Sequence, residues 1–139
     1  MLNVKEDGLV QKIELLIKRY RVLDYFYLDL PFPTMRQNII AQIPTSFRVS
    51  DCEPVEILNY MKSDWLWIDS FTGNWKHLKK ALKICKKYKL KSCLVSPELQ
   101  GRNIFYEVSQ IMEIITSANL NLTAVCTKFP EIWDRYQDN

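Results

Sequence analysis

The chain has 139 residues, of which 47% are hydrophobic and 25% charged, and its net charge is +3. That suffices for one domain around one core, spanning residues 1–139, and it is too aromatic and too balanced for disorder. The charge is too modest for a dedicated nucleic-acid binder, and no apolar run approaches the roughly 20 residues of a bilayer span. The opening stretch, MLNVKEDGLVQKIELL, has no unbroken apolar core and no small-residue cleavage site, so the expected location is the cytoplasm. Cys52, Cys85, Cys93 and Cys126 form no CxxC pair and have one histidine for company, which argues against zinc. Cys85, Cys93 and Cys126 sit among apolar neighbours and read as buried thiols in a reducing compartment.

Residues 8–20 place Leu9, Ile13, Leu16 and Ile17 on one helical face. DYFYLDL (24–30) reads as a strand ended by PFP, and 34–43 as a short helix with Thr34 as N-cap and Pro44 as its stop. SFRVSD (46–51) is the second strand, and 53–61 a helix with Pro54 in its first turn. WLWIDSF (65–71) is the third strand. Gly73 and Asn74 then turn the chain into a helix over 75–88, which buries Trp75, Leu78, Ala81, Leu82, Cys85 and Tyr88. KSCLVSP (91–97) is the fourth strand, 103–119 a helix, LTAVCTK (122–128) the fifth strand, and Pro130 opens a last helix. Strands alternating with helices in units of 20 to 30 residues predict a parallel sheet with right-handed crossovers.

Each strand ends on polar residues: Asp29; Arg48 and Ser50, followed by Asp51 and Glu53; Asp69; Ser96 with Glu98 after it; Thr127 and Lys128. In parallel α/β folds the loops at that end form the ligand pocket. Alternation puts Tyr25, Tyr27 and Asp29 on one face, Arg48 with Ser50, and Trp65, Trp67, Asp69 and Phe71 together. If the faces converge, Arg48 meets Asp29 and Asp69 above an aromatic floor. Arginine offers a fixed fork of donors for phosphate or carboxylate, while carboxylates take sugar hydroxyls or a divalent metal. Structural readings of the same residues are an Arg48 ion pair with Asp69 or Asp29, Glu53 as a first-turn helix acid, and Thr127 as a helix cap.

YFYLDLPFPTMRQ (25–37), FRVSDCEP (47–54), WLWIDSF and LTAVCTKFPEIW (122–133), in this order, resemble the C-terminal part of the glycerophosphodiester phosphodiesterase / phosphatidylinositol-specific phospholipase C-like barrel superfamily. Thr127 and Pro130 match its closing strand, where Lys128 departs from a frequent Asp. The resemblance implies a partial (β/α) TIM-like barrel of five parallel βα units; the alternative is an open, doubly wound flavodoxin-like sheet. It also implies a substrate rim of Asp29, Arg48, Ser50, Glu53, Asp69, Glu98 and Thr127. The family's His-Arg-Gly stretch, acidic metal ligands and second histidine have no match here, so no catalytic residue, metal ligand or cofactor is expected in this chain. Mg²⁺ or Ca²⁺ would arrive with a complementary N-terminal half. The expected ligand is a phosphodiester or other phosphate-bearing small molecule, and unpaired strand edges predict a homodimer or pairing with that half. A non-catalytic binding module on the same scaffold is the alternative function.

His77 lies in a lysine-rich helix, away from any strand end, and reads as a surface or half-buried residue. Eight lysines fall between Trp75 and Lys91, mostly opposite Leu78, Leu82 and Cys85, as on a solvated helix face. With glycine only at positions 8, 73 and 101, there is no GxGxxG, no phosphate-cradling loop and no GxSxG.

Overall fold

The computed structural model describes residues 1–56 and 63–136. The expected helix over 53–61 therefore lies largely outside the described residues. Among them run β1 (Leu2–Asn3), α1 (Val10–Tyr20), β2 (Tyr27–Leu28), α2 (Phe32–Ile40), β3 (Ser46–Val49), β4 (Trp65–Ile68), α3 (Leu78–Tyr88), β5 (Lys91–Val95), α4 (Ile104–Ser117), β6 (Ala124–Cys126) and α5 (Pro130–Asp134). The short N-terminal strand β1 was not foreseen; two residues are too few to show alternation. A 3-10 turn, Pro97–Gln100, follows β5.

All pairing between the strands is parallel. β1 lies beside β2, and β3-β4-β5-β6 form a four-stranded sheet. One parallel bridge, Tyr27 to Thr45, joins the two sheets. Every strand thus neighbours its predecessor in the chain. A flavodoxin-like sheet would run 2-1-3-4-5, with strands on both sides of the first, whereas the described strands lie beside one another in chain order.

One face of the sheet packs under the helices. Tyr27, Phe47, Val49, Leu66, Ile68 and Leu94 meet Leu78, Leu82, Val108 and Ile111 there. In α3 the buried residues Leu78, Ala81, Leu82 and Cys85 follow i, i+3, i+4, i+7, the period that predicted them. The helix starts at Leu78 rather than Trp75, and Tyr88 is exposed, because the stripe turns away from the sheet by the last turn. Leu16 is likewise exposed, and α1 buries Val10 and Ile17 instead. In α2 the N-cap is Pro31, with no side-chain cap. Thr34 is inside the helix because Pro33, whose fixed φ suits a first turn, draws the start forward. Asn103 does cap α4, accepting from Phe105 N and Tyr106 N at 3.0 and 3.4 Å.

The other face carries Phe26, Leu28, Trp67, Cys93 and Val95, with Trp65, Ala124 and Cys126 packed against them. Phe26 stacks on Trp65 with centroids 4.5 Å apart. Burial pushes the Cys93 thiol up to about 12, while the Met1 amino group pulls the other way. All four cysteines are free, and Cys126 is only half-buried. No helix among the described residues is long and apolar enough to cross a membrane.

Candidate functional site

The polar residues at the C-terminal strand ends form a rim of three linked clusters. The first centres on Arg48, at the end of β3. Its Nη1 lies 3.2 Å from Asp29 Oδ1, and its Nε contacts Glu53 Oε1 and Oε2 at 3.1 and 3.0 Å. Ser50 Oγ donates to Glu53 Oε2 at 2.9 Å, and Asn3 Nδ2 donates to Asp29 Oδ2 at 3.2 Å. The Arg48 guanidinium sits 5.6 Å from the centroid of the exposed Phe71 ring. An open cleft of about 310 Å³ runs beside this cluster, lined by Asp29, Arg48, Glu53, Met35 and Pro54 among others. It lies where the sheet parts: a single bridge holds β2 to β3, so the two strands diverge toward their C-terminal ends.

The expected face assignment fails for the first unit. Tyr27 belongs to the helix-side core, opposite the Arg48 side. Its hydroxyl donates to Glu14 at 3.0 Å. Asp29 nevertheless reaches Arg48 because its backbone is left-handed, with φ of 57°. That breaks strand alternation after Leu28 and swings the carboxylate across. The aromatic floor keeps the expected Trp65 and Trp67, but Phe26 joins them in place of Tyr25 and Tyr27.

Asp69, at the end of β4, is buried and heads the second cluster. It forms no ion pair with Arg48, whose fork is taken by Asp29 and Glu53. Gln100 Nε2 donates to both carboxylate oxygens, at 3.1 and 3.0 Å, and Ser70 N donates to Oδ1 at 2.8 Å. His77 Nε2 is 2.8 Å from the Asp69 carbonyl. A carbonyl only accepts, so Nε2 carries the proton and the ring buttresses the strand end. Behind Asp69, Arg102 Nη1 donates to Ser70 O at 2.7 Å, and its Nε donates to Glu107 Oε1 at 2.7 Å. Glu107 Oε2 accepts from Trp75 Nε1 at 3.0 Å. Gly73, with φ of 83°, passes close over this pair; a Cβ there would sit 3.4 Å from Arg102 Nε.

Burial pushes the Asp69 carboxyl above its ordinary 3.8, although Gln100, Ser70 N and the two arginines pull against it. A raised folded value means that folding takes up a proton. The protein is then most favoured by this group below about 3.8 and loses that stability as pH rises through the folded value. Asp69→Asn is expected to flatten that part of the curve. Urea midpoints at several pH values between 3.5 and 7 should converge on the wild type at the acid end and exceed it at neutral pH. A mutant curve parallel to the wild type would contradict the assignment.

In the third cluster Glu98 accepts from Ser96 Oγ, from Thr127 Oγ1 at 2.7 Å and from Lys128 N at 2.8 Å. Trp133 Nε1 donates to Ser96 Oγ at 2.9 Å. Burial pushes Glu98 up, but these hydrogen bonds outweigh it and leave the carboxyl below its ordinary value. Thr127 Oγ1 also accepts from Phe129 N at 3.0 Å, so it shapes the entry to α5, whose N-cap is Phe129. Asp51 ties the loop after β4 to the end of β3. It accepts from Phe71 N at 2.8 Å, Thr72 N at 2.9 Å and the Thr72 and Ser70 hydroxyls.

All seven residues expected at the rim stand there, in the three clusters rather than on one arginine. Asn3, Gln100, Arg102, Glu107 and His77 were missed. The Pro97 and Gly101 that bracket ELQ were the available signal, since they force a turn directly after a strand. Among the described residues no three His, Cys, Asp or Glu side chains gather as metal ligands. Compared with protein-family models, curated proteins and solved structures, the chain has no match.

Proposed function

We propose that this chain is the substrate-holding, C-terminal part of a phosphodiesterase-like (β/α) barrel, and not the part that moves protons. One observation carries the reading: parallel strands in sequential order each end in polar side chains that share one rim. Sequential parallel order is that of barrel units, which supports a partial TIM-like barrel over other α/β arrangements. Among the described residues Asp29 and Glu53 pair with Arg48, while Asp51, Asp69 and Glu98 form no ion pair, so carboxylates outnumber arginines on the rim. Such a rim suits the hydroxyl-bearing alcohol of a phosphodiester, a glycerol or a sugar, better than a second phosphate. The carboxylates do not fit a divalent cation of their own, since hydrogen-bond donors from the chain already engage them. A cation would come with a complementary N-terminal half. The sole histidine is spent on the Asp69 carbonyl.

β1 and β6 each pair on one side only among the described strands. Leu15 and Leu16 of α1, and Leu23 just after it, are exposed. Both features support docking of that half, or of a second copy. The purified chain with Mg²⁺ or Ca²⁺ is expected to bind a glycerophosphodiester without hydrolysing it. Arg48→Ala should weaken binding roughly 10- to 100-fold, the cost of losing a charged hydrogen bond. Turnover by the chain alone would overturn the division of labour, and absence of binding would overturn the rim. The saturation of the carboxylates by internal donors favours a second reading, a non-catalytic binding module. Adding a family N-terminal half separates the two, because only the first reading gains hydrolysis.

A further inference from the structure

From Ser70 to Pro97 the chain contains eight lysines and no acidic residue. The other eleven basic and sixteen acidic residues leave the rest of the chain five charges negative. The small net charge therefore conceals a strong polarity. Lys76, Lys79, Lys80, Lys83, Lys86, Lys87, Lys89 and Lys91 are all exposed, along and just beyond α3. Lys80 pairs with Glu56, and Lys91 lies 3.8 Å from Asp24; the other six make no ion pair among the described residues. Two lysines in the last turn would satisfy the helix dipole, and six unpaired ones go well beyond that need.

The face ends in a cleft of about 330 Å³ lined by Lys86, Lys89, Ser92, Asn119 and Asn121. Lys89 and Asn119 are both left-handed, with φ of 57° and 51°. They turn the chain sharply after α3 and α4, so two helix ends open onto one basic, hydroxyl- and amide-rich hollow. It lies at the N-terminal edge of β5, at the opposite end of the sheet from the carboxylate rim. Beside it Tyr88 is exposed, with Lys87 Nζ 5.1 Å from its ring centroid.

We propose that this lysine face seats the protein on a membrane surface rich in anionic phospholipid, with one phosphate headgroup entering the cleft between Lys86 and Lys89. Several features select a lipid surface over a nucleic acid. The stretch holds no arginine, so it lacks the fork that reads bases and phosphates bidentately. The lysines stand on a convex helix, which meets a plane of charges and not a groove. Long lysine stems adjust to headgroups that diffuse, and a tyrosine among them sits well at the lipid interface. The inference stands independently of the rim's function.

The test is sedimentation of the full chain with vesicles of phosphatidylcholine alone, or with about one-third phosphatidylglycerol, near 0.1 M salt. Binding is expected only to the anionic vesicles, and release at about 0.5 M salt. Removing one surface lysine should cost about five-fold, so Lys79→Gln with Lys83→Gln should cost about 25-fold. Lys86→Gln with Lys89→Gln removes the same charge and also two of the three lysines that line the cleft, leaving Lys91, so its loss should be larger. All four side chains are exposed, and circular dichroism checks that each variant folds. Failure to bind anionic vesicles overturns the proposal, as does binding of a DNA duplex in its place. Equal losses from the two pairs would overturn the headgroup in the cleft. A glycerophosphodiester titration of the same variants is expected to match the wild type, which keeps this result separate from any failure of the rim.

Discussion

Replacing Glu107 with alanine is expected to lower the unfolding free energy by about 3–5 kcal/mol, the cost of stranding one partner of a buried pair. Glu107 is 8% exposed, and its two oxygens are divided between Arg102 and the Trp75 indole. The alanine variant leaves a shielded guanidinium with only backbone carbonyls, and an indole N–H with no acceptor. Glu107→Gln keeps an acceptor for Trp75 and should cost about 1–2 kcal/mol. Joint replacement by Glu107→Leu and Arg102→Met should recover much of the alanine loss, because it removes both charges together. Urea unfolding followed by tryptophan fluorescence measures all three. An alanine cost below about 1 kcal/mol would show that the pair is open to water.

Asp51→Ala is expected to cost about 2–3 kcal/mol, since one charged acceptor holds four donors of a single loop. Those hydrogen bonds, together with partial burial acting the other way, leave the carboxyl well below its ordinary 3.8. A depressed folded value contributes stability above 3.8 that is lost as pH falls toward the folded value. Asp51→Asn should therefore lose stability at pH 6 and little at pH 2, flattening the loss on the acid side, where Asp69→Asn flattens the fall in stability toward neutrality. The two carboxylates, 18 residues apart in sequence, are predicted to bend the same curve in opposite senses. Acid titrations by circular dichroism that show one common slope would contradict both assignments.

The alternation of elements was legible because each apolar run is short and bounded by proline, glycine or polar residues. The strand ends were legible for the same reason: Asp69 after WLWI and Glu98 after SP stand out against apolar neighbours. The face of Asp29 was not. Alternation assumes extended backbone, and the left-handed turn at Asp29 is dictated by the Leu30-Pro31 exit and the contacts with Asn3 and Arg48, which are remote in sequence. The partner of Asp69 was hidden for a related reason. Gln100 and Arg102 fall in a 3-10 turn and its exit, where neither helical nor strand periodicity applies. Arg48 could be named as a paired residue, but not its partners, because competition among three carboxylates is decided by tertiary placement.

The single bridge between β2 and β3 also has a bearing on how the chain folds. Sequential strand order keeps most contacts between consecutive units, which lowers contact order and lets folding spread from unit to neighbouring unit. β3 to β6 are zipped by full registers, whereas the segment before them is held by Tyr27 N to Pro44 O, Ser46 Oγ to Tyr27 O and the Arg48–Asp29 pair. With fewer backbone hydrogen bonds to the four-stranded sheet, the first 30 residues are expected to open more readily than β3 to β6, against the packing of Val10, Phe26, Tyr27 and Leu28 in the shared cores. Amide hydrogens of α1 would exchange through that partial opening, and those of β4 and β5 only when the whole molecule unfolds.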